Sequence, residues 1–166
     1  TTPPVPTTTP VPTATPVPTA TPIPEKSTAN IEQINQASIG DYVTLGRYEQ
    51  DNNLDNGKES IEWLILDKND SGLLLLSKHV LDGKQFNETS VQISWENSTL
   101  RSWLNNEFYQ TAFNETEREK ILETLNDNPG NSGWGISGSD DTKDKVFLLS
   151  LYEIWNYFPS TDPISP

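Results

Sequence analysis

The sequence predicts an α+β domain: an antiparallel sheet packed against two consecutive helices, behind a Pro/Thr-rich linker. Two observations carry that prediction. Three strand-like segments divided by strong turn signals run from Tyr42 to Leu81, and short turns between strands make an antiparallel meander. Further on, Trp95 to Leu125 (WENSTLRSWLNNEFYQTAFNETEREKILETL) is the one stretch with two well-signalled helices in succession. The expected organisation is linker 1–28, globular domain 29–160 and tail 161–166.

The linker comes first. Thr9–Ala14 reads TPVPTA, Thr15–Ala20 repeats it, and Thr21–Pro24 starts a third copy as TPIP. Proline at this density fixes φ and removes backbone donors, so neither helix nor sheet is expected. The expected state is extended polyproline II, a semi-rigid spacer roughly 70 Å long at ~3.1 Å per residue. Glu25 to Ser38 is polar and transitional.

The fold is expected to begin at IGDYVTLGRYEQ, where Tyr42, Thr44 and Gly46 alternate with Val43, Leu45 and Arg47. Asp55-Asn56-Gly57 is a turn signal. IEWLILD returns with Trp63 and Ile65 on one face and Leu64 and Leu66 on the other; two apolar faces mark a central strand. Asn69-Asp70-Ser71-Gly72 turns the chain again into LLLLSKHVL. Asp82 to Ser94 reads as loop, with a short alternation at Val91 and Ile93.

In the first helix, Leu100, Trp103, Leu104 and Phe108 share one face, with Asn97 or Ser98 as cap; Arg101, Asn105 and Glu107 fall off that face. Asn114 with Glu117 forms a capping box for the second helix, whose buried stripe is Ile121, Leu122 and Leu125. The stretch NDNPGNSGWGISGSDDTKD is long and aperiodic, the mark of a functional loop or disorder. Lys145 to Leu149 (KVFLL) reads as a buried strand. Ser150 with Glu153 caps a last helix carrying Tyr152, Trp155 and Phe158.

Composition narrows the function. The chain of 166 residues carries a formal charge of −13, which repels phosphate backbones and anionic lipid, so nucleic acid and membrane surfaces are not expected partners. It has no cysteine, which excludes thiol catalysis, iron–sulfur clusters and Cys-type zinc sites. A single histidine, His79, argues against a His-based metal site or triad and reads as structural. No apolar run approaches the ~18 residues of a membrane span. The chain opens on Thr1 without a signal peptide, so it is expected to be a piece of a longer protein.

The order of pieces GDYVTLGRYEQDNN, NGKE, IEWLILDK, LLLLSKHVLD, WENSTLRSWLNNEFYQTAF and DKVFLLSLYEIWNYF resembles the bacterial domain family DUF6273 over Ile39 to Phe158. Its most specific parts are W-E-N-S-T-L-R-S-W-L-N and D-K-V-F-L-L-S. The resemblance implies an extracellular or cell-surface setting and a fold similar to C-type-lectin-like and formylglycine-generating-enzyme-like domains. It transfers no catalytic residue. Family members continue past Phe158 with further strands, whereas this chain ends in PSTDPISP; a missing last strand is expected to leave a sheet edge open.

The tryptophans are the candidate sugar-stacking residues, since an aromatic face packs on the CH groups of a pyranose. Trp63, Trp95, Trp103 and Trp155 sit where core packing explains them. Trp134, between Gly133 and Gly135, lies off every stripe and is either an exposed ligand contact or a loop anchor, with Asn131, Asp140 and Asp141 as hydrogen-bonding neighbours. No metal site is assigned. Asp51, Asn53, Asp55 and Glu62 come near the pattern of a calcium loop, but the glycine is one residue late and a polar hairpin turn explains the same letters. Asp140, Asp141 and Asp144 form a second oxygen-rich group. A glycosidase-like pair such as Glu62 with Asp140 has no spacing that singles it out. Sequons at Asn87, Asn97 and Asn114 read as chance. The expected function is therefore a non-catalytic extracellular module binding or sensing polysaccharide, without cofactor, among other modules of its parent chain. The alternative is a structural or protein-interaction module of a surface or transmembrane signalling protein.

Overall fold

A sheet of three antiparallel strands in the order β1-β2-β3 forms one layer, with β1 Tyr42–Tyr48, β2 Glu59–Asn69 and β3 Gly72–Ser77. This comes from a computed structural model that describes residues 27–130, 135 and 137–159, with side chains from residue 31 onward. The Pro/Thr-rich linker up to residue 26 and the tail 161–166 lie outside the described residues. The architecture is α+β, as the sequence predicts.

β2 is central, and its alternation explains why. Ile61, Trp63 and Ile65 are buried on one face, and the Trp63 indole N–H donates to Leu45 O at 2.7 Å. Asn69 pairs with Gly72 across a two-residue turn, and the Asn69 side chain accepts from the N–H groups of Ser71 (2.8 Å) and Gly72 (3.2 Å).

The second layer is helical. Ser98, an N-cap whose hydroxyl accepts from Arg101 N, starts α2 (Thr99–Trp103). A π-helical turn, Leu104–Phe108, carries the chain into α3 (Tyr109–Ala112). Leu104, Phe108, Tyr109, Ala112 and Phe113 are buried against Val43, Ile61, Trp63 and Ile65. Phe108 and Phe113 meet edge to face with centroids 6.0 Å apart. Leu100 and Trp103 are half-buried on the same core, so the predicted face of this helix holds.

The capping box also forms: Asn114 accepts from Glu117 N, and the Glu117 carboxylate accepts from Asn114 N. The helix it starts, α4 (Glu115–Arg118), is shorter than predicted. At its end the Tyr109 hydroxyl donates to Arg118 O at 2.9 Å, satisfying one of the carbonyls left open there. Ile121 is half-buried, but Leu122 and Leu125 are exposed and do not supply a buried stripe.

Thr124–Asn126 is instead strand β4, paired antiparallel with β5, Thr142–Asp144. The two ends of the aperiodic stretch thus belong to paired strands, Asn126 to β4 and Thr142–Asp144 to β5. Lys145 to Leu149 is not a strand. Asn105 takes the place of a neighbouring strand there: its Oδ1 accepts from the N–H of Lys145 (2.7 Å) and Val146 (3.3 Å), and its Nδ2 donates to Val146 O (2.9 Å). Val91 and Ile93 lie in irregular chain.

Two helices flank this core. α1 (Ser27–Gln36) occupies the stretch read as transitional and packs on β1 with Ile34 buried. With so little apolar surface it gives no periodic signal. α5 (Leu151–Tyr157) starts at the predicted Ser150–Glu153 capping box, but its predicted core residue Trp155 is exposed. The burial of Trp155 expected from its spacing does not occur, because the described core sits on the other elements.

Candidate functional site

Asp144 is the most completely enclosed ionisable group described, and its side chain is fully buried. Five side chains donate to it. Arg101 Nε (2.7 Å) and Asn105 Nδ2 (3.2 Å) reach Oδ1; Thr142 Oγ1 (2.7 Å), Trp95 Nε1 (3.1 Å) and Asn126 Nδ2 (3.1 Å) reach Oδ2. Burial alone would raise the Asp144 pKa. The hydrogen bonds from Thr142, Trp95 and Asn126 and the charge of Arg101 outweigh it and hold the carboxyl below its usual range. The other Arg101 nitrogens donate to Glu96 O and Lys143 O, each at 3.1 Å. This carboxylate is spoken for: it ties α2 to the β4–β5 ribbon and has no open side for a substrate or ion. Its expected grouping with Asp140 and Asp141 does not form, since those two are exposed on the ribbon.

Sequence reasoning missed this centre because it judged Arg101 and Asn105 only by their absence from the apolar face. A signal was present: an arginine and an asparagine four apart share a helix face of their own.

Of the predicted ligand contacts, Trp134 and Asn131 lie outside the described residues. Asp141 Oδ1 accepts from Asn128 N (3.4 Å), and Asp140 O accepts from Asn128 Nδ2 (2.9 Å). The calcium-loop reading splits apart. Glu62 sits in mid-β2, paired with Lys78 Nζ at 2.9 Å and 3.9 Å from His79 Nε2. His79 is exposed, just past the end of β3. Glu49, Asp51 and Glu59 bring carboxylate oxygens within 4.8 Å of one another at the surface. Asn53 N donates to Asp51 Oδ1 (2.8 Å) and Asn56 Nδ2 to Asp51 Oδ2 (2.9 Å), which is hairpin-turn chemistry.

Among the described residues, α5 and the chain just before it carry several exposed apolar side chains. Tyr152 is 71% exposed and Trp155 45%, with Leu148, Leu151, Ile154 and Phe158 also open around them. Tyr157, on the same helix, is half-buried, and its hydroxyl pKa is raised by burial and by the charges of Asp67 and Glu153. A depression of about 320 Å³ lies between α1 and β1, lined by Gln33, Ile34, Asp41 and Tyr42 among others. Among the described residues no helix is long and apolar enough to cross a membrane.

Residues 70–163 match the family described as "Domain of unknown function (DUF6273)". The chain belongs to this family. No curated protein and no solved structure matches it. The matched residues contain β3, the helices from α2 onward and the whole Asp144 centre, whereas β1 and β2 precede them. The two stretches on which the resemblance to DUF6273 rests most heavily, WENSTLRSWLN and DKVFLLS, meet at this carboxylate. Trp95, Arg101 and Asn105 come from the first and Asp144 from the second. In this DUF6273 domain the two motifs are joined by hydrogen bonds to one buried carboxylate.

Proposed function

We propose that this domain is a non-catalytic extracellular module that binds polysaccharide, carried on its Pro/Thr-rich spacer within a larger secreted or surface protein. The aromatic face of α5 carries this reading. Tyr152 and Trp155 lie three residues apart with Phe158 beyond, and all three rings are open to solvent. Rings so presented stack on the CH faces of pyranoses, and an exposed patch of this kind marks an interaction site. The non-catalytic part is supported by Asp144, whose elaborate surroundings hold it ionised and out of reach, where acid–base work needs a group that touches substrate. Asp140 and Asp141, both exposed, are available to bond sugar hydroxyls.

A second reading, a protein-interaction module, is favoured by one feature of the same face. Leu151 and Ile154 on α5, and Leu148 just before it, are exposed as well, and aliphatic side chains suit a protein surface better than a sugar.

Tryptophan fluorescence during titration with xylan, mixed-linkage glucan, pectin and starch, beside pull-down on cellulose, separates the readings. A saturable shift lost in Trp155→Ala or Tyr152→Ala places glycan on α5. Loss only in Trp134→Ala moves the site to the stretch between β4 and β5. A folded domain that binds none of these glycans fails the polysaccharide reading and leaves the protein-interaction module.

A further inference from the structure

The turn between β1 and β2 holds the single Asn-Gly step in the chain, Asn56-Gly57. Both residues are exposed. Gly57 has φ +77°, and nothing lies within 4 Å of where a Cβ would stand, so nothing crowds that side of the residue. Among the described residues the Gly57 N–H has no hydrogen-bond partner, and the turn is held instead through Asn56 N to Asn53 O (3.3 Å). A free backbone nitrogen, an unbranched neighbour and an exposed side-chain amide are the requirements for an intramolecular attack.

We propose that Asn56 is a site of spontaneous deamidation. The Gly57 nitrogen gives its proton to solvent base and bonds to the Asn56 Cγ. The Cγ–Nδ2 bond breaks, and ammonia leaves with a proton taken from water. Water then opens the resulting succinimide at either carbonyl, giving aspartate or isoaspartate. One water is consumed and one ammonia released, with no redox partner. The product changes the turn. The Asn56 amide now donates to Asp51 Oδ2 at 2.9 Å, and a carboxylate in its place faces Asp51 as a like charge, beside Glu49 and Glu59. The reaction therefore loosens the β1–β2 turn irreversibly and adds a negative charge to a chain already at −13.

Asp82-Gly83 is an internal contrast. There the carboxylate accepts from Tyr48 Oη (2.6 Å) and from the Gly83 N–H itself (2.7 Å), so the would-be nucleophile is engaged.

The test is peptide mapping by mass spectrometry of the folded chain, aged in neutral and mildly alkaline buffer. The expected result is a one-dalton gain at Asn56, split into two chromatographic forms, faster at the higher pH and slowed severalfold in Gly57→Ala. Asn56→Gln is expected to remove it, along with the more acidic species on ion exchange. An unchanged Asn56 in the folded chain, while the free peptide DNNLDNGKES deamidates in the same buffer, would overturn the proposal. So would a gain that survives undiminished in Gly57→Ala.

Discussion

Arg101 Nε donates to Asp144 Oδ1 at 2.7 Å across 43 positions of sequence, and that bond fastens α2 to the β4–β5 ribbon. The Asp144 side chain is fully buried, while the Arg101 side chain remains 26% exposed. The two ends of the interaction are therefore unequal. Removing Asp144 strands the Trp95, Asn105, Asn126 and Thr142 donors, whereas the part-exposed Arg101 guanidinium still reaches solvent.

Asp144→Ala is accordingly expected to destabilise the domain by about 3–5 kcal/mol, the range for breaking a buried pair. Arg101→Ala should cost less, because four other side chains still donate to the carboxylate. The double variant should fall short of the sum of the two singles, since they share one interaction. Urea denaturation measures all three. An Asp144→Ala domain within about 1 kcal/mol of the parent would show that the cluster does not hold the fold.

The same carboxylate sets an acid limit. Its folded pKa lies below the ordinary value, so the stability it contributes is fully present above the unfolded pKa of about 3.9 and is lost as pH falls through the lower folded value. The parent domain should lose stability steeply from about pH 4 downward. Asp144→Asn, already destabilised at neutral pH, should show a flatter acid limb. Parallel limbs in the two proteins would assign acid unfolding to other carboxylates.

Much of the fold is legible in the sequence where a signal is local. The capping boxes at Asn114–Glu117 and Ser150–Glu153 form as read, and the two apolar faces of IEWLILD do place it in the centre of the sheet. The failures are non-local. Nothing near Thr124–Asn126 tells that it will pair with Thr142–Asp144, and nothing in KVFLL tells that Asn105 will stand in for its strand partner. The site was less legible than the fold. Apolar periodicity finds core faces, so it assigned Trp155 to a core it does not reach and passed over the polar face of Arg101 and Asn105.

Gly46 and Gly57 both have positive φ, +75° and +77°, yet they should respond differently to alanine. At Gly46 a Cβ would lie 2.6 Å from the Phe113 ring and 2.7 Å from Ala112 O, inside the core. Left-handed strain and overpacking together predict a loss of roughly 2–5 kcal/mol for Gly46→Ala. The same glycine donates its N–H to the buried Glu117 at 3.2 Å, which docks the α4 cap on the β1 bulge. Gly57→Ala meets open space and should cost only the backbone term, about 1–2 kcal/mol. Thermal unfolding of the two variants side by side checks the ordering; equal losses would mean that the close approach at Gly46 relaxes freely.

Tyr48 anchors the loop that follows β3. Its hydroxyl donates to Asp82 Oδ2 at 2.6 Å, and its ring packs on Phe108 with centroids 5.1 Å apart. Burial first, then the hydrogen bond and the charge of Asp82 with a contribution from Glu107, push its pKa up to about 12. A raised folded pKa contributes stability that is whole below the unfolded value of about 10 and is lost as pH rises through the folded one. Spectrophotometric titration should therefore show a late tyrosinate step that disappears in Tyr48→Phe, leaving the smaller delay of Tyr157. That variant keeps the ring and loses only the hydrogen bond, so global stability should fall by about 1–2 kcal/mol. Hydrogen exchange should quicken around Asp82 and Gly83, while β2 stays protected. Unchanged exchange in that loop would show that it is held by other contacts, with Lys84 over the Trp103 ring at 4.8 Å the first to examine.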